Sequence, residues 1–432
     1  MKVVIAGCGI GGLTTALALH QAGIDVEIFE QAREVRELGV GINLLPHAVK
    51  ELAALGLLPQ LDKAGIRTRR LIYMNRYGQP VWDELRGLDA GYDLPQISIH
   101  RGKLQTVLYR AAIARLGARH IHIGHCFVDF DERAGGVVAR FERCSDGRVV
   151  DVAGDALIGA DGIHSRLRSI FYPDEGHPAW NGIMLWRGAT DWPVYADGRT
   201  MVIAGGNAAK FVFYPIYVDP ARSAYRLTNW AIMARLGDGS TPPPCREDWS
   251  RPAKLEEVLP FAHEKFRLDF IDLPALIEAT DVVYEYPCCD RDPVPRWSFG
   301  RATLLGDAAH PMYPTGSNGA SQAILDARCL APQLTSGATV TDALAAYEDE
   351  RLPATAEIVM ANRRGGPEGV IDLVEERAPE GFDDLEAVAS YAERAAIVRG
   401  YASMAGYAKD QVNRGGNARA RKLLEVARMG QA

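Results

Sequence analysis

The chain has 432 residues, beyond the roughly 250–300 at which one hydrophobic core stops growing, so two domains are expected. It is 47% hydrophobic and 24% charged, and a net charge of −7 argues against nucleic acid or an anionic membrane as the main partner. The seven cysteines are scattered, without C-x-x-C and with an adjacent pair at Cys288-Cys289, a pattern that suits a reduced, cytoplasmic protein better than a zinc knuckle or a disulfide scaffold.

In chain order, residues 2–7 (KVVIAG) form the continuous β-branched run of a buried parallel strand. A helix ending at Gly23 and the strand DVEIFEQ complete a βαβ unit. A helix over 46–55, a hairpin over 71–82 turning at 77–80, and a helix entered through His100-Arg101 follow. Short strands up to DALIGADG (155–162) return to the first sheet. From about Trp180 the segments IMLWRGATDW, TMVIAGG, AKFVFYPIYV and RLTNWAIMA are short, aromatic and β-prone, as in an antiparallel sheet of a separate layer. A loop over 241–249 and a helix over 255–270 come next, and at Ala302 the buried-strand style resumes. The fold class is therefore α/β, with an antiparallel domain inserted into a Rossmann-like one. Expected boundaries are 1–70, 98–178 and 289–355 for the first domain, 71–97 and 179–288 for the second, and 356–432 for a helical C-terminal region. Within the last, 354–364 continues a helix, 367–382 reads as an acidic loop, and 418–428 (ARARKLLEVAR) as a basic helix. No stretch of about 20 apolar residues occurs, so no membrane span is expected.

Three segments carry chemistry. Gly7-Cys8-Gly9-Ile10-Gly11-Gly12 is a G-x-G-x-x-G between a strand and a helix, and Glu30 ends the next strand 18 residues beyond it. Gly7 permits the turn, Gly9 lets a pyrophosphate approach the backbone, Gly12 lets helix and strand pack, and Glu30 is placed for ribose hydroxyls. In GADGIHSRLR (159–168) Asp161 sits at a strand end with Ser165 as a helix cap. Function and a plain exposed turn stay open there, and His164 reads as structural. In GDAAHPMYPTGSNGASQAILDA (306–327) Asp307 lies at the carboxyl end of a strand, where open α/β sheets place ligands. The loop after it is roughly twice the usual 2–6 residues, and Gly316, Gly319 and Ala320 bring bare N–H groups to a helix start. Two glycine-rich helix starts, each with a strand-end carboxylate, suggest one long ligand gripped at both ends, as a dinucleotide with a ribityl chain would be.

These pieces, with HRGKL (100–104), resemble the single-component (group A) FAD-dependent aromatic hydroxylases. LGVGINLLPHAVKELAALGL, ISIHRGKLQ, MLWRGAT, DRDPVPRW and SNGASQAILDA are similar to the phenazine-modifying branch of that family. The resemblance implies a para-hydroxybenzoate hydroxylase-like fold. It implies FAD held at its ADP half by Gly9, Gly11, Gly12 and Glu30, with Gln31, Val40 and Gly41 adding contacts. Arg101 would reach the pyrophosphate and ribityl region, and Asp161 would serve FAD and the pyridine nucleotide. Asp307 would bond the ribityl chain, Gly316, Gly319 and Ala320 would follow the isoalloxazine ring, and Pro314 would sit on its substrate side. This chain has Gly316-Ser317-Asn318-Gly319 where the family often has Gly-Gln-Gly.

The implied reaction uses NADPH or NADH and dioxygen, through a C4a-hydroperoxyflavin, to hydroxylate an aromatic or heteroaromatic small molecule. Loss of a substrate carboxylate with the hydroxylation stays open. No residue is assigned as catalytic, because the flavin carries the chemistry. With one dinucleotide fingerprint, the nicotinamide is expected to bind transiently. Trp186, Arg187, Phe213, Tyr214 and Tyr313 are candidate substrate walls, although each such residue is more often plain core, and Arg187 is suited to a substrate carboxylate or equally to Asp191 or another neighbouring acid. The rival readings are a non-oxygenating flavin dehydrogenase or reductase on the same fold, and a flavin-binding scaffold. A monomer and a homodimer are both compatible with the chain.

Overall fold

The computed structural model describes residues 1–35, 37, 40–246, 248 and 250–414. Leu38 and Gly39 of the family-like segment, Glu247 and Trp249 of the expected loop, and the basic terminal helix lie outside the described residues.

The first sheet has six strands in the order Ser298–Phe299, Ala302–Leu304, Ala156–Gly159, Lys2–Ala6, Asp25–Glu30 and Ile121–Ile123. All pairings are parallel except the edge pair Ser298–Phe299 with Ala302–Leu304. Val3, Val4 and Ile5 are fully buried at its centre, as a strand covered on both faces must be. The helices Ile10–Gln21 and Gly319–Leu334 pack against each other beside it, and Arg101–Leu116 packs on the first of them. The carboxyl ends of three adjacent strands thus release Gly7, Ala160 and Leu305 toward one side of the molecule.

The second sheet has seven strands in the order Tyr284–Asp290, Ala179–Pro193, Tyr225–Arg235, Ala209–Tyr217, Thr200–Gly205, Arg70–Asn75 and Pro80–Leu85. It is antiparallel except where Thr200–Gly205 meets Arg70–Asn75 in parallel. That junction joins the early hairpin to the later strands, so the insertion is assembled from two separate stretches of chain. One face packs on the helices Leu255–Lys265 and Leu273–Glu278, with Trp230, Phe211 and Ile232 fully buried between. A small sheet of Gly41–Leu44, Gln96–His100 and Gly65–Thr68 bridges the two layers.

Two expectations are corrected. The helix expected over 255–270 ends at Lys265, where Phe266 turns extended and is buried in the core. The expected acidic loop over 367–382 contains the helix Gly369–Arg377 instead. Val370, Ile371 and Val374 are fully buried against the hairpin strands, and at about 1.5–3 kcal/mol for each such side chain their burial outweighs the loop-like composition. The expected continuation over 354–364 is part of one helix, Val340–Arg363, which tolerates Pro353. Among the described residues, no helix is long and apolar enough to cross a membrane.

Candidate active site

A cleft of ≈ 1490 Å³, partly continuous with solvent, lies between the carboxyl ends of the first sheet and the second sheet's face opposite the helices Leu255–Lys265 and Leu273–Glu278. Its first wall is the glycine turn. Gly7 has φ +110°, and a Cβ there would meet the Ala160 oxygen at 2.2 Å, so neither the conformation nor the space admits another residue. A Cβ on Gly12 would lie 2.1 Å from the Gly7 oxygen, whereas one on Gly9 meets nothing within 4 Å. Gly9 is the N-cap of the helix Ile10–Gln21, which has neither a side-chain cap nor an acidic residue in its first turn. Its leading N–H groups therefore face the cleft as an anion site. The Gln105 amide donates to the Cys8 oxygen at 2.9 Å and pins the turn from behind.

The second helix start is built alike. Gly319–Leu334 begins at Asn318 with no side-chain cap and no acidic first turn. Before it, Gly306 (φ +62°), Gly316 (φ +70°) and Ser317 (φ +55°) shape the long loop. Asp326, fully buried, ties this loop to the helix by accepting from the Gly306 N–H at 3.0 Å and pairing with His310 at 2.6 Å and Arg351 at 2.8 Å. Burial alone would push the Asp326 carboxyl up, but His310 and Arg351 overcome it and hold it at about 2.

Of the expected cofactor residues, Gly9, Gly11, Gly41 and Arg101 line the cleft, as do Asp307, Gly319 and Ala320. Burial, then the neighbouring Arg187 guanidinium, lowers Arg101 below the usual arginine range, with Asp307 opposing. The Asp307 side chain is open to the cleft yet enclosed by protein around it, and that enclosure raises its carboxyl against the pull of His310 and Arg101. Gly41 marks a close approach of the two layers: its N–H donates to Asn229 at 2.8 Å, and a Cβ there would sit 2.8 Å from Tyr214.

The remaining expected residues lie away from the cleft wall. Glu30 accepts from the Cys8 and Ala32 N–H groups, both at 2.8 Å, and so locks the glycine turn to the next strand. Gln31 is exposed beside it, and the Val40 oxygen accepts from the Arg101 N–H at 2.8 Å. Asp161 accepts from the Ser165 hydroxyl at 2.5 Å and the Arg166 N–H at 2.7 Å, which makes it the anchor of the helix Arg166–Phe171, while its neighbours Ala160, Gly162 and Ile163 reach the cleft. Gly316 sits behind the loop, against Tyr401.

On the second sheet, Arg187 and Tyr214 line the cleft, with Tyr313 and Pro314 facing them from the loop. Trp186 and Phe213 do not. Successive side chains on a strand point to opposite faces, so Trp186 stacks on Phe261 at 5.1 Å and Phe213 joins the core on the far side. The wall expected at those two positions comes instead from Tyr286 and Cys288 on the strand Tyr284–Asp290. Pro287 and Cys289 of the same strand line the cleft too, so the signal was the strand YEYPCCD as a whole and not its alternation. The Arg187 guanidinium lies 4.8 Å above the Tyr286 ring and is 7% exposed. Burial pushes the Cys288 thiol up to about 12, so it is an inert neutral wall.

Residues 1–362 match the family model described as FAD binding domain. The chain belongs to this family. It is 45% identical over 365 residues to the phenazine 1,6-dicarboxylic acid hydroxylase of Lysobacter antibioticus, covering 84% of this chain and 89% of that one. It is 30% identical over 371 residues to 3-hydroxybenzoate 6-hydroxylase 1 of Aquipseudomonas alcaligenes, covering 84% and 88%. Among solved structures, a salicylate hydroxylase substrate complex matches with a TM-score of 0.73 at 22% identity over 98% of each chain. Klebsiella pneumoniae HpxO complexed with FAD and uric acid matches at 0.68 and 22% identity, over 98% and 97%. At such identity the structural likeness speaks for the fold. The sequence relatives carry the class: this is an FAD-dependent flavoprotein monooxygenase of the aromatic hydroxylase type.

The hydroxylase cleft fits FAD on its own geometry. Both helix starts present bare N–H groups, Gly9 leaves open the space a Cβ would fill, and Asp307 offers a carboxylate to a polyol between them.

Proposed function

We propose that this hydroxylase acts on a planar heteroaromatic carboxylate, using NADPH or NADH and dioxygen. Bound FAD would relay two electrons from the nicotinamide to dioxygen. The protein's share is binding, orientation and exclusion of water. Gly9, Gly11 and Gly12 would hold the pyrophosphate, Glu30 with Gln31 the ribose, and Asp307 and Arg101 the ribityl region. Gly316, Gly319 and Ala320 would seat the ring, with Pro314 on its substrate side, and Val40 and Gly41 would close the entry of the helix Arg101–Leu116. Asp161 would act from behind this surface, by orienting the backbone of 160–163.

The observation that carries the substrate reading is the pair of guanidiniums at one cleft. Burial and the nearby Arg187 guanidinium lower Arg101, and among the described residues Asp307 is the carboxylate side chain lining the same cleft. Arg187 beside Tyr286, Tyr214 and Tyr313 offers a ligand anion a charge-assisted bond next to aromatic faces. The names of the phenazine dicarboxylate and hydroxybenzoate relatives fit such a substrate. The same reading divides the chain into an FAD domain (1–70, 98–178, 289–355), a substrate domain (71–97, 179–288) and a helical C-terminal region. The thiols of Cys8, Cys126, Cys144, Cys288 and Cys329 suit a reducing cytoplasm.

The test is a screen of the FAD-loaded protein for substrate-stimulated NAD(P)H oxidation with aromatic acids, phenazine carboxylates, quinolones and phenols, with product mass recorded. Arg187→Ala is expected to raise KM for the carboxylated substrate about 10- to 100-fold, the worth of a charge-assisted buried bond, with FAD still bound. Equal KM in the variant refutes the carboxylate assignment.

A further inference from the structure

The loop 311–318 has two faces. Pro311, Met312, Tyr313, Pro314, Ser317 and Asn318 line the cleft. Gly316 and Ser317 are both held at positive φ, and a non-glycine residue stays in that region only when its surroundings over-determine it. Those surroundings are the C-terminal helices. The Glu368 carboxylate accepts from the Gly316 N–H at 3.2 Å, and the Asn362 amide donates to the Tyr313 oxygen at 3.0 Å. The Tyr401 hydroxyl donates to Asn362 Oδ1 at 2.7 Å and accepts a longer bond, 3.4 Å, from Asn318 Nδ2. Gln322 joins Asn318 to the Ala405 oxygen at 3.1 and 3.3 Å. Asn318, Asn362, Glu368 and Tyr401 are all buried, and a Cβ on Gly316 would lie 2.7 Å from the Tyr401 hydroxyl. Asn318, where the chain departs from the common family pattern, thus turns its side chain to these helices, and Glu368 and Tyr401 lie beyond the family match.

We propose that Tyr401, Asn362 and Glu368 are positioning residues that fix the shape of loop 313–318, and through it the seat of the flavin ring; this rests on the assignment of that loop to FAD. A loosened seat weakens FAD binding. It also lets the two electrons of NAD(P)H and two protons convert dioxygen to hydrogen peroxide instead of product and water. Glu368 adds a pH term, because its ionised carboxylate is the stronger acceptor for the Gly316 N–H. The groups facing it are Lys210 and Asp372, themselves paired at 2.6 Å, with Tyr401, Tyr73 and Cys288.

The experiment compares wild type, Tyr401→Phe, Glu368→Gln and, as a control on the same helix, Tyr391→Phe, whose ring is half exposed. FAD affinity of the apoproteins, the visible absorption band of bound flavin and the peroxide formed per NAD(P)H are measured at pH 6 and 8. Tyr401→Phe is expected to weaken FAD binding about five- to tenfold at both pH values, to alter the band and to raise the peroxide fraction. Glu368→Gln is expected to do so at pH 8 and to match wild type at pH 6, a pattern that a merely structural role does not produce. Wild-type affinity, band and peroxide fraction in both variants overturn the proposal. Should Tyr401→Phe melt the apoprotein, Glu368→Gln decides alone, and its pH-dependent loss must appear. A wild-type protein that does not bind FAD instead overturns the cofactor assignment of the loop.

Discussion

Replacing Glu368 with Gln should abolish the pH dependence of stability that this one side chain imposes. Burial comes first among the causes that push its carboxyl up to about 7 from 4.5, with Lys210 and the Gly316 N–H opposing and Asp372 adding to the rise. An acid raised in the folded state keeps a proton that the unfolded chain has already released. Between 4.5 and 7 the folded state therefore binds more protons, and stability falls as pH rises, by about 1.4 kcal/mol per unit. The fall amounts to about 3 kcal/mol and levels off above pH 7. Glutamine keeps an oxygen for Gly316 and the same shape, but it does not titrate. Urea unfolding of both apoproteins from pH 4.5 to 8.5 should give near-equal free energies at the acid end. At pH 8 the variant should be the more stable by about 3 kcal/mol. A difference between the two proteins that stays constant across pH would show that Glu368 is ionised in the fold, paired with Lys210, and would refute the reasoning. The same variant is expected to bind FAD less tightly at pH 8, so stability and cofactor grip should move in opposite directions.

Asp326→Ala leaves Arg351 without its buried counter-charge and His310 without its hydrogen-bond partner, and should destabilise the protein by about 3–5 kcal/mol, read from denaturant unfolding at pH 7. Because the folded carboxyl is held down, this contribution is full above the unfolded value of about 4 and fades as pH falls toward 2; an undiminished gap between variant and wild type at pH 2 would contradict it. Gly12→Ala and Gly9→Ala should separate packing from ligand approach. The first forces helix from strand and should cost about 1–3 kcal/mol of apoprotein stability, while the second leaves stability within about 0.5 kcal/mol yet weakens FAD binding. Equal FAD affinity in Gly9→Ala and wild type would sink the idea that the pyrophosphate passes over that residue.

The glycine turn was legible because its demands fall on the backbone: Gly7 and Gly12 have contacts that admit no side chain, and such positions show in sequence as glycine. The inserted layer was legible from composition, since aromatic, β-branched runs broken by Gly and Pro differ from the buried runs around Val3 and Thr303. Adjacent wall candidates were not resolved. Trp186 and Arg187, like Phe213 and Tyr214, are adjacent and equally aromatic or polar candidates in sequence, although the two-residue period of a strand sends one of each pair to the far face. The helix Gly369–Arg377 was illegible because what forms it is the hairpin it covers, not its own acidic, proline-led sequence. The direction of Asn318 is only partly local: Gln322, four residues on, donates to its oxygen, but the Tyr401 hydroxyl that accepts from its amide lies 83 residues further on.

The parallel junction between Arg70–Asn75 and Thr200–Gly205 bears on how the chain comes to be folded during synthesis. The early hairpin emerges with one edge unpaired, and its partner strand follows only after more than a hundred residues. Lys2–Ala6 waits as long for Ala156–Gly159, and that strand in turn for Ala302–Leu304. Neither layer can close before most of the polypeptide exists. A nascent chain therefore carries two open, apolar sheet edges through much of its translation, the condition in which strand addition by a neighbouring chain competes with folding. The last parallel strand and the loop 306–318 leave the ribosome together, but the C-terminal residues Asn362, Glu368 and Tyr401 that hold that loop follow later, so the cleft takes its shape only once the chain is nearly complete.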